Sequence, residues 1–136
     1  MIKKLAIVGC GKIAIKHINA IKFYEKNKKL KLVAVCDNNL KKLKQIKIPY
    51  LRKYQNISKM LRYEKLDIIS ILTPSGLHFN HFMQSVGRVK TIIIEKPMAL
   101  KVSDGIKMVN ACKKTKTNMF VVLQHRFNPL IKFLKK

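Results

Sequence analysis

The sequence predicts an α/β fold: a Rossmann-type, doubly wound parallel sheet of about six strands with helices on both faces. Three observations lead to this prediction. Short runs rich in Val, Ile and Leu alternate with longer lysine-rich amphipathic segments, a glycine-rich turn follows the first run, and an aspartate closes the second. Such alternation is typical of βαβ units, and 136 residues suffice for one domain with a sizeable core.

The strand predictions rest on apolar runs. Five runs are nearly continuous in Val, Ile, Leu or Phe, as expected for strands that are buried on both faces of a parallel sheet. A weaker run at residues 50–54 is the candidate for the third strand. The five stronger runs are residues 5–8, 30–36, 67–72, 91–95 and 119–123.

The segments between these runs are predicted to be helices because their apolar residues recur at helical spacing. In the last of them, Ser103 is the predicted N-cap, and Asp104 suits the positive start of the helix. Its predicted apolar face consists of Ile106, Val109 and Ala111. The five predicted helices cover residues 12–24, 40–46, 57–63, 77–86 and 103–115.

The net charge of +24 raises the question of a nucleic-acid partner, because a strongly basic domain attracts polyanions. The basic residues are 26 Lys and only 4 Arg, spread through the chain, whereas base-edge and bidentate phosphate recognition favours Arg. The sequence contains no RNP box or zinc-finger pattern, so specific nucleic-acid binding is not expected. A cationic nucleic-acid binder stays an alternative, and it predicts steeply salt-dependent binding.

Cysteine usage and hydropathy predict a soluble, cytoplasmic protein. The three cysteines are scattered and lack CxxC spacing, so we expect buried thiols and neither a disulfide frame nor a metal site. No apolar run approaches the roughly 18 residues that span a bilayer, so no membrane partner is expected. Residues 3–10 imitate a lipoprotein export signal, but the uncharged run between Lys4 and Lys12 is only seven residues long.

A GxGxxA pattern, formed by Gly9, Gly11 and Ala14, follows the first predicted strand and opens the first predicted helix. The first glycine suits a tight turn, the second lets the backbone approach a pyrophosphate, and the small third residue allows close packing of helix on strand. Free N–H groups at the helix start, around Lys12 and Ile13, would hold the phosphates. A glycine turn with a purely structural role remains the alternative.

Asp37 ends the second predicted strand, 26 residues after Gly11. Near that spacing a carboxylate meets the hydroxyls of the adenosine ribose, and Asn38 lies beside it. A carboxylate also disfavours a 2′-phosphate, so NAD is the expected cofactor and NADP is not. The alternative is that Asp37 caps the helix that begins near Leu40.

Two polar segments, residues 73–78 (TPSGLH) and residues 95–97 (EKP), follow the fourth and fifth predicted strands. Ligands of doubly wound folds bind at this carboxyl edge of the sheet. The alternative is that the proline only ends the strand and that Lys96 is one more solvated lysine. The position of both segments at the ligand edge favours a functional role.

These segments together resemble the N-terminal dinucleotide-binding domain of the Gfo/Idh/MocA oxidoreductase family. The resemblance covers nearly the whole chain, and the ordered set of motifs is far more specific than any one of them. The last motif is most similar to the branch of UDP-N-acetylglucosaminuronate 3-dehydrogenases. The motifs are GCGKIAIKH (9–17), CD (36–37), TPSGLH (73–78), EKPMAL (95–100) and LQHRFNP (123–129).

The resemblance implies roles for individual residues. Lys96 is implied to be catalytic: its ammonium would stabilise developing alkoxide on the substrate hydroxyl and help relay the proton while hydride passes to NAD. Pro97 is implied to follow a cis peptide, and Glu95 to contact the nicotinamide-side ribose. His17 and His125 are interpreted as structural. The implied cofactor contacts beyond the glycine turn and Asp37 are Asn38, Thr73, Pro74, Ser75, His78, Glu95, Lys96, Pro97, Gln124 and Arg126.

The resemblance also implies a second α/β domain that binds substrate. We therefore assign residues 1–127 to an NAD-binding Rossmann domain and residues 128–136 to the start of a junction with that missing domain. The predicted function is the NAD-binding part of a truncated oxidoreductase acting on a sugar or nucleotide-sugar hydroxyl, inactive alone and able to associate through an exposed junction helix. The alternative is a non-catalytic NAD-binding module that senses cofactor or docks on a partner.

Overall fold

The computed structural model describes residues 1–134, which contain six strands and six α-helices. Short 3₁₀ turns at Ser75–Leu77 and Gln124–Phe127 precede the fourth and sixth helices. The strands are β1 (Lys3–Val8), β2 (Leu30–Cys36), β3 (Arg52–Tyr54), β4 (Ile68–Ile71), β5 (Thr91–Ile94) and β6 (Asn118–Val121). The helices are α1 (Lys12–Glu25), α2 (Leu40–Gln45), α3 (Ile57–Tyr63), α4 (His78–Ser85), α5 (Val102–Thr115) and α6 (Pro129–Leu134).

The six strands are parallel and form one sheet in the order β3-β2-β1-β4-β5-β6. The predicted doubly wound parallel sheet is therefore confirmed. β1 lies near its middle, where Leu5, Ala6, Ile7 and Val8 are at most 2% exposed. A strand that is covered on both faces needs an apolar side chain at every position, which explains the uninterrupted run in the sequence.

Helices cover both faces of the sheet, as predicted. On one face, Ile18 of α1 and Leu43 of α2 belong to a buried cluster over β1 and β2. On the other face, Met60 of α3, Phe82 of α4 and Met108 of α5 are fully buried over the remaining strands. Burial of each such side chain contributes about 1.5 to 3 kcal/mol. The two layers together hold the carboxyl ends of the strands at one edge of the molecule.

The start of α5 differs from the prediction. The helix begins at Val102, and Lys101 occupies the N-cap position without a side-chain cap, so the prediction that Ser103 is the N-cap is wrong. The carbonyl of Lys101 accepts hydrogen bonds from the N–H groups of Asp104 and Gly105, so the backbone closes this turn by itself. Asp104 lies in the first turn, where its charge complements the helix dipole.

The predicted apolar face of α5 is also partly wrong. Met108 is the buried residue of the helix, and Ala111 and Cys112 pack beside it. Ile106 and Val109, which were predicted to face the core, are 56% and 39% exposed. The helix carries two neighbouring apolar stripes, and periodicity alone does not tell which of them faces the sheet.

The end of the described chain carries exposed apolar side chains. Residues 135 and 136, the end of the segment predicted to contain the junction helix, lie outside the described part. Phe127, Phe133 and Leu134 are each more than 70% exposed.

Between residues 1 and 134, none of the helices combines the length and the apolar character that crossing a bilayer requires.

Candidate functional site

At the carboxyl edge of the sheet, the end of β1 and the loops after β2, β3 and β4 line a groove of about 420 Å³. β1 and β4 are neighbours although their crossovers run in opposite directions, and doubly wound sheets bind ligands at such a switch point. The predicted site residues Asp37, Asn38, Thr73 and Pro74 line this groove. Its other lining residues are Val8, Cys36, Lys42, Gln55, Asn56, Ile57, Leu77, His81 and Gln84.

Gly9 is required by the sheet itself. Its φ of +97° lies in a region that L-residues rarely adopt, and its N–H donates to the carbonyl of Cys36 over 2.8 Å. A Cβ at this position would lie 2.7 Å from backbone atoms of Leu72 and Thr73. The purely structural interpretation of the turn therefore accounts for this first glycine.

Gly11 is not explained by folding. Its φ of −76° is available to any residue, and a Cβ there would meet no atom within 4 Å. The space in front of it opens on the start of α1, where the first N–H groups of a helix lack helical partners. Ala14, three residues on, is buried against the sheet, while Lys12 is exposed and Ile13 is half-buried. This open helix start fits the diphosphate of a dinucleotide.

The Asp37 carboxylate connects the glycine turn to the end of β2. One oxygen accepts a hydrogen bond from the N–H of Cys10 over 2.8 Å, and the other accepts one from the N–H of Asn39 over 2.9 Å. The Nζ of Lys42 lies 3.9 Å away. Asn39, and not Asp37, caps α2, because its side chain accepts from the N–H groups of Lys41 and Lys42. The interpretation of Asp37 as the helix cap is therefore not supported.

Two buried thiols flank this carboxylate. Burial, followed by the negative charge of Asp37, raises the pKa of both Cys10 and Cys36 to about 12. Thiols with so high a pKa stay protonated at neutral pH and are poor nucleophiles. Cys10 and Cys36 therefore serve as small buried residues, as predicted.

The loop after β4 is held by two histidines of α4. The ring of His78 is buried, and its Nδ1 and Nε2 each lie 2.7 Å from a carbonyl oxygen, of Pro97 and Thr73 respectively. The hydroxyl of Thr73 lies 3.1 Å from Nδ1 of His81. His78 thus connects the loops after β4 and β5, while Thr73 and Pro74 line the groove. Ser75 begins the 3₁₀ turn that leads into α4.

His81 is a groove residue that the sequence analysis did not identify. It lines the groove together with Thr73, and burial lowers its pKa, with a further contribution from nearby His78. The available signal was its distance of three residues from His78 on one helix, which places both rings on the same side. His81 lies outside the TPSGLH motif, so the motif gave no indication of it.

The loop after β5 carries Glu95, Lys96 and Pro97, and the Lys96-Pro97 peptide is cis, as predicted. Oε2 of Glu95 accepts a hydrogen bond from the N–H of Lys96 over 3.2 Å, and Oε1 lies 3.2 Å from Nε2 of His17. The Lys96 side chain is exposed at the end of the strand. Gln124 and Arg126 lie in the exposed 3₁₀ turn after β6, and neither is among the residues that line the groove.

Comparison with known proteins shows the family to which this chain belongs. Residues 3–123 match the Gfo/Idh/MocA family model, an oxidoreductase family with an NAD-binding Rossmann fold. D-glucoside 3-dehydrogenase of Escherichia coli is 28% identical over 130 residues, which cover 91% of this chain and 35% of that enzyme. D-apiose dehydrogenase of Paraburkholderia graminis is also 28% identical, over 94% of this chain and 34% of its own length.

Solved structures show the same relationship. The WlbA dehydrogenase of Chromobacterium violaceum, in complex with NADH and UDP-GlcNAcA, has a TM-score of 0.90 and 34% identity over 98% of this chain and 39% of its own. The Bordetella pertussis WlbA dehydrogenase, with the same two ligands, has a TM-score of 0.91 and 32% identity over 99% and 42%. This chain thus spans about two fifths of the length of these structures. It belongs to the Gfo/Idh/MocA oxidoreductase family, and residues 3–123 form the NAD-binding Rossmann domain of that family.

Proposed function

We propose that this chain is the NAD-binding part of an oxidoreductase that transfers a hydride between NAD and a hydroxyl group of a nucleotide sugar. The observation that supports this most is the convergence of three features at one edge of the sheet: the open glycine turn, the Asp37 carboxylate and the loop around Lys96. The nucleotide sugar is favoured because both WlbA structures are complexes with NADH and UDP-GlcNAcA.

The cofactor would lie across the carboxyl edge of the sheet, with its diphosphate at the start of α1 and its adenosine ribose at Asp37. When bound, NAD supplies the hydride acceptor or donor of the reaction. His78 is assigned to holding the loops after β4 and β5, because both of its ring nitrogens are engaged by carbonyl oxygens. The proposed contacts with the cofactor are Gly9, Gly11, Lys12, Ile13, Ala14, Asp37, Asn38, Thr73, Pro74, Ser75, Glu95, Lys96, Pro97, Gln124 and Arg126.

Lys96 is the proposed catalytic residue. Its backbone N–H is held by the Glu95 carboxylate, and its side chain extends from the sheet edge into the exposed region. An ammonium there can donate a hydrogen bond to the substrate hydroxyl, stabilise negative charge that develops on the oxygen, and take part in moving its proton.

The substrate would be bound by a second domain that packs on this one. Phe120 of β6, the edge strand, is 59% exposed, and Leu123, Phe127 and Phe133, which follow it in the chain, are exposed as well. Exposed apolar surface of this extent is typical of a contact region. We propose that residues 1–127 are the cofactor domain, that residues 128–136 begin the junction, and that hydride transfer requires both domains.

The proposed compartment is the cytoplasm. All three cysteines, which lie within the described residues, are free. Free thiols suit the reducing conditions of that compartment.

A chimera would test the proposed function. This chain would replace the corresponding cofactor domain of the Chromobacterium violaceum WlbA dehydrogenase, which it matches with a TM-score of 0.90. We expect the chimera to form NADH, seen by absorbance, when NAD and UDP-GlcNAcA are both supplied. A folded chimera that binds NADH without any turnover would contradict the proposal and favour a non-catalytic NAD-binding module.

Replacing Asp37 should weaken binding of the cofactor. In Asp37→Ala we expect the free energy of NADH binding to become less favourable by about 1 to 3 kcal/mol, because hydrogen bonds from the ribose hydroxyls to a charged group are lost. The preference for NADH over NADPH should shrink as well, since the repulsion of a 2′-phosphate disappears. Fluorescence titration of both cofactors measures the two effects.

Asp67→Ala is the matched control for this experiment. Asp67 precedes β4 at the opposite edge of the sheet, and its carboxylate likewise accepts a backbone hydrogen bond, from the N–H of Lys4 over 2.9 Å. The control therefore removes the same charge and a similar local contact. Equal losses of NADH affinity in the two variants would show that Asp37 acts through stability or net charge and not through the ribose.

A further inference from the structure

We propose that His17 is a positioning residue, which fixes the carboxylate of Glu95 at the nicotinamide end of the cofactor site. This inference rests on the proposed function, because Glu95 is assigned to the cofactor there. His17 lies on α1, far from the β5 loop in sequence, and the GxGxxA pattern that defines the start of α1 does not include it.

His17 connects three elements. Its Nε2 lies 3.2 Å from Oε1 of Glu95, after β5, and its Nδ1 lies 3.4 Å from the hydroxyl of Ser70, on β4. The side chains of His17 and Glu95 are only 19% and 13% exposed, and Ser70 is 1% exposed. Partial burial of this kind strengthens a polar contact, because little water competes for it.

The direction of the hydrogen bonds follows from the groups that take part. A carboxylate only accepts, so Nε2 of His17 must carry a proton and donate to Glu95. In the neutral ring Nδ1 is then an acceptor, and the Ser70 hydroxyl donates to it. Ser70 interrupts an otherwise aliphatic strand, Ile68–Ile71, and the interruption is explained if this hydroxyl orients the ring.

The other oxygen of Glu95 accepts a local bond, from the N–H of Lys96 over 3.2 Å. Among the described residues, His17 is the one side chain recorded in a hydrogen bond with the Glu95 carboxylate, and it anchors that group to a separate helix. The backbone of this loop is held separately, by the bond from the N–H of Glu95 to the carbonyl of Ile71 over 3.0 Å and by His78 at Pro97. Without His17 the Glu95 side chain would keep only its local bond and could rotate, so placement of the Glu95 carboxylate depends on His17.

The test compares two ligands on the purified chain. ADP carries the adenosine and the diphosphate but lacks the nicotinamide-side ribose, whereas NADH has all three. In His17→Phe, which keeps a ring and removes both nitrogens, we expect the Kd for NADH to rise about five- to tenfold, as for loss of one hydrogen bond. The Kd for ADP should stay within about twofold, and His17→Gln, with an amide near the Nε2 position, should restore much of the NADH affinity.

Asn19→Phe, which adds a ring at an exposed position of α1, is the matched control and should bind both ligands like the parent chain. Equal weakening of NADH and ADP in His17→Phe, or no weakening of either, would overturn the positioning role. Failure of the parent chain to bind NADH would instead reject the proposed function. Should His17→Phe not fold, ¹⁵N NMR of the parent chain decides: Nε2–H on His17 is expected, and a proton on Nδ1 alone would contradict the inference.

Discussion

Gly9→Ala is expected to lower the free energy of unfolding by about 2 to 5 kcal/mol, which combines the cost of a positive φ in a residue with a Cβ and the cost of overlap with packed neighbours. The neighbours are backbone atoms of Leu72 and Thr73, 2.7 Å from the new Cβ, and backbone at the end of a central strand cannot move aside cheaply. Chemical denaturation followed by circular dichroism measures the change.

Gly11→Ala is the matched comparison, because it makes the same change two residues later. The new Cβ meets no atom and φ is ordinary, so we expect stability within about 1 kcal/mol of the parent chain, the usual helix-end effect. NADH binding should nevertheless be weakened, since the methyl group projects into the space assigned to the diphosphate. A Gly9→Ala chain of parental stability, or a Gly11→Ala chain of parental affinity, would each contradict the separation of roles.

Lys96→Met in the chimera with the WlbA substrate domain is expected to reduce turnover by about 10²- to 10⁴-fold, the usual contribution of a group that moves a proton in the transition state. The affinity for NADH should change much less, because the backbone contacts of the loop remain. Methionine keeps the aliphatic length of lysine and removes the ammonium. Steady-state rates and a separate NADH titration measure the two quantities.

Lys101→Met serves as the control for that experiment. Lys101 is exposed and lies five residues further along the same loop. Its replacement by methionine changes the net charge by the same amount as Lys96→Met. We expect its turnover to stay close to that of the unmodified chimera. Comparable losses in the two variants would show that positive charge along the loop, and not the ammonium of Lys96, determines the rate.

The parts of the fold that were predicted correctly are those that depend on local chemistry. The run from Leu5 to Val8 is buried on both faces, so each of its residues is apolar. The turn at Gly9 has room only for glycine, so the glycine in the sequence indicates the turn. The apolar face of α5 was predicted incorrectly because Met108 and Ile106 lie on adjacent stripes of similar hydrophobicity. Which stripe is buried is decided by the sheet beneath it, and single-sequence periodicity does not contain that information.

In the site, too, residues marked by the local sequence were predicted, and contacts between distant residues were not. Asp37 was predicted as a site residue because it lies directly after a strand, where parallel sheets bring loops together, whereas the role predicted for Lys96 came from the resemblance of its EKP segment to the family. The contact between His17 and Glu95 joins residues 78 positions apart, and the sequence offers no spacing rule for it. His78 was expected along the cofactor, yet its ring lies between two backbone carbonyls. Motif membership indicated the right region without indicating which way the ring points.

The charge of the chain leaves one competing explanation to be tested. The chain has six acidic side chains against 30 basic ones. All six carboxylates already have hydrogen-bond or ion-pair partners in the structure. Most of the basic side chains are therefore not neutralised by a carboxylate. Such a surface attracts any anion, including a dinucleotide, by screened Coulomb forces alone. A specific site and a general attraction differ in how they respond to salt and to the 2′-phosphate.

Titration of the purified chain with NADH and with NADPH, at low salt and at about 0.3 M salt, therefore tests the central claim most directly, because added salt screens general attraction between exposed charges. A built dinucleotide site predicts saturable binding that prefers NADH and persists at the higher salt. Equal binding of both cofactors that disappears at the higher salt would contradict it.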